Sequence, residues 1–194
     1  MKPTIVYLHG FRSSPASIKA TALRAAVDAL PAARRPVLHV PDLQRAPLAA
    51  IAQVEALLAA SRAPVTLVGS SLGGYYATHI AERHGTRAVL VNPAVQPYDD
   101  LQPYLGVQTN LYTGEPFEVT HAHFGELRTL RVARLSVPGN FLLMVETGDE
   151  VLDYRQAVGF YAGAWQYVRG GGDHAFQDYA NQIPAILRFA GVLV

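Results

Sequence analysis

The sequence predicts an α/β fold with a doubly wound, mostly parallel sheet of about six strands. Two observations support this prediction. Short apolar runs bounded by turn residues alternate with longer segments of helical spacing, which is the pattern of strands buried on both faces between helices. The chain also fits one domain, residues 1–194, and its 50% hydrophobic and 16% charged residues indicate a globular protein with a large core.

The alternation runs along most of the chain. The predicted strands lie at residues 4–8, 37–40, 65–68, 88–91, 141–145 and 165–168. The predicted helices lie at residues 17–30, 47–60, 72–84, 154–162 and 178–189. Because a helix follows every strand except the fourth, neighbouring strands are expected to run parallel.

The segment 97–137, which follows the fourth strand, departs from this pattern. It shows no clear strand, and its one predicted helix covers residues 121–135. A long excursion from a compact domain is usually functional, so we expect a short lid-like insertion. Its aromatic residues are expected either to line an acyl or alcohol pocket or to pack the insertion onto the core. They are Tyr98, Tyr104, Tyr112, Phe117 and Phe124.

The composition excludes several classes of function. The 16 Lys and Arg residues balance 15 Asp and Glu residues without a long run of one sign, so we expect neither nucleic acid nor a membrane as a partner. The absence of Cys excludes disulfides, thiolate metal sites and a cysteine nucleophile. The first apolar run, residues 5–8, is too short for a signal-peptide core or a spanning helix, so we expect a cytoplasmic protein.

The stretch Gly69-Ser70-Ser71-Leu72-Gly73 lies between a predicted strand and a predicted helix. A strand, a sharp turn and a helix around this pattern are typical of a nucleophile elbow. The turn forces its central serine into strained backbone angles, and the close packing around it requires the two glycines. The motif predicts Ser71 as the nucleophile, with Ser70 as a bystander in the turn.

A serine nucleophile needs a general base, and in enzymes with this elbow an acid and then the base follow later in the chain. His174 lies directly after the last predicted strand and is the predicted base. Asp149 closely follows the fifth strand and is the predicted acid, with Glu150 and Asp153 as alternatives. The order serine, acid, histidine is that of the α/β hydrolases.

Two backbone amides are predicted to form an oxyanion hole. The amide of Leu72 lies at a helix N-terminus, and the amide of Phe11 lies in the loop after the first strand. His9 precedes that loop, and we expect it to make structural hydrogen bonds rather than to transfer a proton.

His121 and His123, with Glu118 and Glu126 nearby, suggest a metal site at first sight. Residues two apart on a helix point to different sides, however, so we expect these histidines to lie on a solvated surface. We predict no metal and no cofactor.

Five stretches of the sequence carry a family resemblance: YLHGF (7–11), GSSLGGY (69–75), VNPAV (91–95), TGDEVLDYR (147–155) and GGDHAF (171–176). They resemble the YqiA-like bacterial esterases, a compact family with the α/β-hydrolase fold. The similarity covers nearly the whole chain and is weakest over residues 101–135, where substrate choice would be decided. The resemblance implies cofactor-independent hydrolysis of carboxylic esters or thioesters, with Ser71, Asp149 and His174 as the catalytic triad.

The leading hypothesis is therefore a serine hydrolase that acts on a small-molecule ester or thioester through an acyl-enzyme. Two alternatives stay open. The chain could be a binding module that has lost turnover, because a fold alone does not establish an activity. It could also hydrolyse amides or peptides with the same nucleophile.

Overall fold

The computed structural model describes residues 1–43 and 45–193. The strands in these residues are β1 Thr4–Leu8, β2 Val37–His39, β3 Val65–Ser70, β4 Arg87–Val91, β5 Gly106–Thr109, β6 Pro116–Val119, β7 Phe141–Glu146 and β8 Trp165–Arg169. The helices are α1 Ile18–Asp28, α2 Pro47–Ala60, α3 Leu72–His84, α4 Pro97–Asp100, α5 His121–Thr129, α6 Tyr154–Phe160 and α7 Tyr179–Phe189.

The central sheet has the strand order β2-β1-β3-β4-β7-β8, and every neighbouring pair is parallel. The predicted fold class is therefore confirmed. The six strands of this sheet are also the six that the apolar runs predict.

Strand β1 shows why the sheet needs helices on both faces. Ile5 and Tyr7 pack with core residues of α1 and α7, whereas Val6 and Leu8 pack with those of α2, α3 and α5 on the opposite face. All four side chains are almost completely buried. Because neither face of the strand meets water, its sequence is a continuous apolar run rather than an alternating one.

The segment between β4 and β7 differs from its prediction. It contains an antiparallel hairpin of β5 and β6, in which Gly106 pairs with Val119 and Thr109 with Pro116. The expectation that this segment lacks a clear strand is wrong, because strands of four residues are too short to show a decisive alternation. Helix α5 begins at the predicted residue but ends at Thr129, where the chain turns Leu130 into the core, instead of at Leu135.

The loops after β1, β3, β7 and β8 leave the same edge of the sheet, because the carboxyl ends of parallel strands lie together. These four loops carry Phe11, Ser71, Asp149 and His174 respectively. Residues that are far apart in the sequence can therefore meet at this edge. In the described part of the chain, every helix is too short or too polar to cross a bilayer.

Candidate active site

Ser71 occupies a sharp turn between β3 and α3. Its backbone angles are φ 54° and ψ −120°, a conformation that residues with a side chain rarely adopt. The Ser71 amide donates to the carbonyl of Val91 at 3.0 Å, which ties the turn to the end of β4. The turn therefore has the strained geometry that the sequence motif predicts.

The glycines on either side of Ser71 allow close backbone contacts. A Cβ atom at Gly69 would lie 2.2 Å from the carbonyl oxygen of Gly73, and one at Gly73 would lie 2.1 Å from that of Leu8. Both distances are far inside van der Waals contact, and in each case the obstacle is backbone that cannot rotate away. The predicted need for glycine at both positions is confirmed.

The ring of His174 lies between Ser71 and Asp149. Its Nε2 atom is 3.1 Å from the Oγ atom of Ser71, and its Nδ1 atom is 2.8 Å from Oδ2 and 3.0 Å from Oδ1 of Asp149. An ionised carboxylate can only accept, so Nδ1 carries the proton and Nε2 is free to accept from the serine hydroxyl. The structure thus brings the three predicted side chains within the distances that general-base catalysis requires.

The three candidate acids occupy different positions around His174. The side chain of Asp149 is 2% exposed and contacts the ring, while its Oδ1 atom also accepts two backbone amides at 2.9 and 2.8 Å. Glu150 accepts the backbone amide of His174 at 3.0 Å instead of contacting the ring. Asp153 caps α6 by accepting a backbone amide at 3.0 Å. Asp149 is therefore the one of these three that can orient the imidazole.

The predicted oxyanion donors lie in the β1–α1 loop, for Phe11, and at the start of α3, for Leu72. Leu72 is the first residue of α3, where helical amides have no partner within the helix. Among residues 1–43 and 45–193, neither the amide of Phe11 nor that of Leu72 donates to another backbone group. Gly10 permits the close approach of the two loops, since a Cβ atom there would lie 3.2 Å from the Cβ atom of Ser71. Two such donors can stabilise negative charge that develops on an oxygen beside Ser71.

His9 fixes the loop after β1, residues 9–13, which we call the β1 loop. Its Nδ1 atom donates to the carbonyl of Gly10 at 3.0 Å, and its Nε2 atom accepts the amide of Leu43 at 3.1 Å. Burial lowers the pKa of His9, which favours this neutral ring. The carbonyl of Gly10 and the amide of Phe11 belong to one planar peptide unit, so His9 also sets the direction of that amide. The structural hydrogen bonds predicted for His9 are present.

The β5–β6 hairpin of the insertion binds the β1 loop from the other side. The amide of Leu111 donates to the carbonyl of Arg12 at 2.9 Å, and the Nε atom of Arg12 donates to the carbonyl of Thr109 at 3.0 Å. Asn110, which is 1% exposed, donates through Nδ2 to the carbonyl of Ser13 at 2.9 Å. The insertion is thus joined to the loop that carries one of the two candidate oxyanion donors.

Two recesses of different size share Gly10 and Phe11 as walls. One is a cleft of about 500 Å³ that contains Ser71 and His174. Polar side chains of this cleft include Ser17, Lys19 and Glu150. The other is a pocket of about 50 Å³ beneath the insertion. Its walls are mainly apolar: Leu43, Leu72, Tyr76, Phe117, Phe124 and Leu127.

The aromatic side chains of the insertion divide between the two expected roles. Phe117 and Phe124 line the small pocket, and Tyr112 lines the cleft. Tyr98 is buried in the core. Tyr104 packs edge-on against the ring of Phe11 in the β1 loop, with 5.4 Å between the ring centroids.

Two residues to which the sequence gives no role hold the loop 170–178, which we call the His174 loop. Glu146, the last residue of β7, is fully buried and accepts the backbone amides of Asp173 and Gln177 at 3.0 and 3.1 Å. Asn92 directly follows β4 and donates to the carbonyls of Asp173 and His174 at 2.9 and 3.2 Å. The signal for Glu146 in the sequence is a charged residue that continues an otherwise apolar strand just before the Asp149 stretch.

The two histidines of α5 have different environments. His121 is exposed, but His123 is half-buried, lines the small pocket and accepts the amide of Thr120 at 3.1 Å through Nδ1. The expectation of a solvated surface is therefore wrong for His123, because its ring caps the start of its own helix. Among the described residues, no group of three or more His, Asp or Glu side chains is arranged to hold a metal ion.

The parallel sheet, with a strained serine after β3 and a histidine after β8, is the architecture of the α/β hydrolases. Mouse alpha/beta hydrolase domain-containing protein 10 has a similar structure, with a TM-score of 0.74 and 18% identity over 98% of this chain and 90% of that chain. The chain belongs to the uncharacterised protein family UPF0227, whose model matches residues 4–191. The YqiA-like family resemblance is therefore confirmed.

Two similar structures are those of esterases. The esterase domain of a Rhodothermus marinus protein has a TM-score of 0.71 and 18% identity, with 97% of this chain and 86% of that chain covered. Est1E from Butyrivibrio proteoclasticus has a TM-score of 0.69 and 14% identity, with 97% and 86% covered. At these identities the likeness establishes a shared fold.

Proposed function

We propose that this protein is a serine hydrolase that cleaves carboxylic esters or thioesters. Ser71 is the nucleophile, His174 the general base and Asp149 the acid that orients the base. The observation that carries the proposal is the continuous path of hydrogen bonds from the Oγ atom of Ser71 through both ring nitrogens of His174 to Asp149. Membership of an α/β-hydrolase family and the esterases among similar folds support the same class.

The reaction proceeds in two halves. As Oγ of Ser71 attacks the carbonyl carbon, Nε2 of His174 takes its proton, and the amides of Phe11 and Leu72 donate to the new oxyanion. His174 then returns the proton to the leaving oxygen or sulfur, which leaves an acyl group on the serine. Water, deprotonated by the same ring, then attacks the acyl carbon, and His174 gives that proton to Oγ of Ser71 as the acid product leaves. Asp149 keeps the proton on Nδ1 and stabilises the imidazolium in both halves.

The two recesses give the substrate a direction. The leaving atom must receive its proton from His174, which lines the larger cleft, so the leaving group lies in that cleft. The acyl group then extends to the other side of the β1 loop, toward the small apolar pocket beneath the insertion. In this proposal the lid-like insertion at residues 97–137 selects a short, apolar acyl group, and the leaving group is the larger end of a small-molecule substrate.

Substitution of Ser71 tests the proposal, with its neighbour Ser70 as the matched control. We expect Ser71→Ala to lower turnover of short p-nitrophenyl esters by roughly 10⁴-fold or more, because the covalent step is lost. Ser70→Ala, which changes the same group one residue earlier, is expected to keep the wild-type rate. Equal rates in wild type and Ser71→Ala would refute the proposal, provided that circular dichroism shows both proteins folded.

Two further measurements separate the alternatives. A fluorophosphonate probe should label Ser71 of the wild type and not of Ser71→Ala, whereas a binding module without turnover would take up no label. Matched ester, thioester and amide substrates rank the three bonds, and turnover of the amide alone would overturn the proposed substrate class. A cytoplasmic location stays a prediction from the sequence.

A further inference from the structure

We infer that Glu146 and Asn92 are positioning residues that hold the ring of His174 within reach of Ser71. The inference rests on the proposed function, since the placement of His174 matters for turnover only if it is the base. Neither side chain can touch a substrate: Glu146 is 0% and Asn92 is 2% exposed. Any effect they have on the reaction is therefore indirect, and their side-chain bonds lead to the His174 loop.

Each oxygen of the Glu146 carboxylate accepts two donors. Oε2 accepts the amides of Asp173 and Gln177 at 3.0 and 3.1 Å. Oε1 accepts the guanidinium of Arg169 at 2.7 Å and the amide of Asp178 at 3.3 Å. Three of the four donors are backbone amides of the His174 loop. Hydrogen bonds to an ionised acceptor are stronger than neutral ones, so this carboxylate fixes the loop on both sides of His174.

Asn92 binds the same loop through its carbonyls. Its Nδ2 atom donates to the carbonyls of Asp173 and His174 at 2.9 and 3.2 Å, and its Oδ1 atom accepts the amide of Glu146 at 3.0 Å. Asn92 adopts φ 40°, a left-handed conformation that asparagine and aspartate tolerate better than other residues with a side chain. The two side chains therefore act as one unit that holds both the amides and the carbonyls of the loop.

Gly172 shows how closely the loop fits this carboxylate. Its φ of 73° lies in the left-handed region, and a Cβ atom there would lie 1.9 Å from the Oε2 atom of Glu146. The loop has no space to shift toward Glu146. It can move only by breaking the hydrogen bonds that hold it.

Glu146→Gln tests the inference with almost no change of volume. In either orientation of the new amide, its NH₂ group faces two donors, either Asp173 and Gln177 or Arg169 and Asp178. We expect the kcat for a short p-nitrophenyl ester to fall roughly 10- to 100-fold, because a misplaced catalytic group loses its near-attack geometry. KM is expected to change by less than about two-fold, since the substrate does not contact position 146.

Glu82→Gln is the matched control. Glu82 also accepts a backbone amide, that of Ser136 at 3.0 and 3.1 Å, but it lies on α3 away from the His174 loop. We expect it to keep the wild-type kcat and KM. Asn92→Asp is the second test variant. It keeps the size and backbone conformation of Asn92, but a carboxylate oxygen replaces the Nδ2 donor and faces the carbonyls of Asp173 and His174. It is expected to show the same loss of kcat at constant KM as Glu146→Gln.

The outcomes are distinct. A folded Glu146→Gln or Asn92→Asp with wild-type kcat, or with a raised KM at unchanged kcat, overturns the inference while leaving the proposed function intact if Ser71→Ala is inactive. If both variants fail to fold, hydrogen exchange on the wild type decides. Amides of Asp173 and Gln177 that exchange as slowly as those of β7 support the inference, and exchange as fast as in the exposed turn at Gly170 overturns it.

Discussion

The two loops that meet Ser71 are held in different ways. The His174 loop is bound from the sheet itself, by Glu146 at the end of β7 and Asn92 after β4. The β1 loop is bound on one side by His9 and on the other by the hairpin of the insertion, through Asn110. The first loop would carry the base, and the second carries a candidate oxyanion donor.

This difference separates two properties of the site. The position of His174 depends on strands that the whole fold requires, so it should be insensitive to the insertion. The position of the Phe11 amide depends partly on the insertion, which also forms the small apolar pocket. We therefore expect changes in the insertion to alter both acyl selectivity and oxyanion stabilisation, while leaving the base in place.

The largest effect is expected at the acid behind His174. Asp149→Asn should lower kcat by roughly 10³- to 10⁴-fold, because an amide no longer holds the proton on Nδ1 or stabilises the imidazolium. Asp153→Asn is the control, since asparagine caps a helix about as well as aspartate and Asp153 does not contact the ring. Steady-state kinetics of both variants check this. A larger loss of kcat in Asp153→Asn than in Asp149→Asn would show that Asp153 is the acid.

The sequence predicts the strands of the sheet and the turn at Ser71 well, but it predicts the structure of the insertion poorly. The continuous apolar run at residues 65–68 predicts β3, and the glycines around Ser71 predict the strained turn that follows this strand. These signals are local in the chain. The partners of Glu146 are backbone amides about 30 residues later, and backbone groups leave no trace in a sequence pattern. The hairpin is missed because its strands of four residues are too short to show alternation, and its attachment is missed because Asn110 binds a backbone carbonyl 97 residues away.

An intermediate effect is expected when the insertion is released from the β1 loop. Asn110→Ala removes the bond to the carbonyl of Ser13. It also removes the Oδ1 atom that accepts the amides of Tyr112 and Thr113 at 2.9 and 3.1 Å, and so leaves partly buried backbone groups unpaired. We expect kcat to fall roughly 10-fold, because an oxyanion donor that is displaced stabilises less charge, and the free energy of unfolding to fall by about 1–3 kcal/mol. Kinetics and chemical denaturation measure the two effects.

Gln108→Ala is the control for Asn110. Its side-chain amide also donates to a backbone carbonyl, that of Tyr104 at 2.9 Å, but this bond lies within the insertion. Gln108→Ala should therefore leave kcat unchanged. If Asn110→Ala and Gln108→Ala behave alike, the side chain of Asn110 does not support the β1 loop, and the proposed division between the two loops would depend on the two bonds at Arg12 alone.

The smallest effect concerns the pH dependence of stability at His9. The ordinary pKa of histidine is 6.5, and burial lowers the pKa of His9 below this value in the folded protein. At a pH just below 6.5 the unfolded chain therefore binds a proton that the folded chain does not. The free energy of unfolding should therefore fall as the pH drops below about 6.5. Burial also lowers the pKa of His79, which lies on α3 and donates to the carbonyl of Leu130 at 2.9 Å. Removal of either histidine should make the pH dependence shallower, as urea denaturation between pH 5 and 8 would show.

The two histidines differ in what else they support, and this separates stability from function. His9→Gln disturbs the peptide that directs the Phe11 amide and should lower kcat at pH 8, where neither histidine is charged. His79→Gln has no contact with the β1 loop and should leave kcat unchanged at that pH. Equal activity of the two variants would mean that the direction of the Phe11 amide is set by the insertion alone, which would make the hairpin the principal support of the β1 loop.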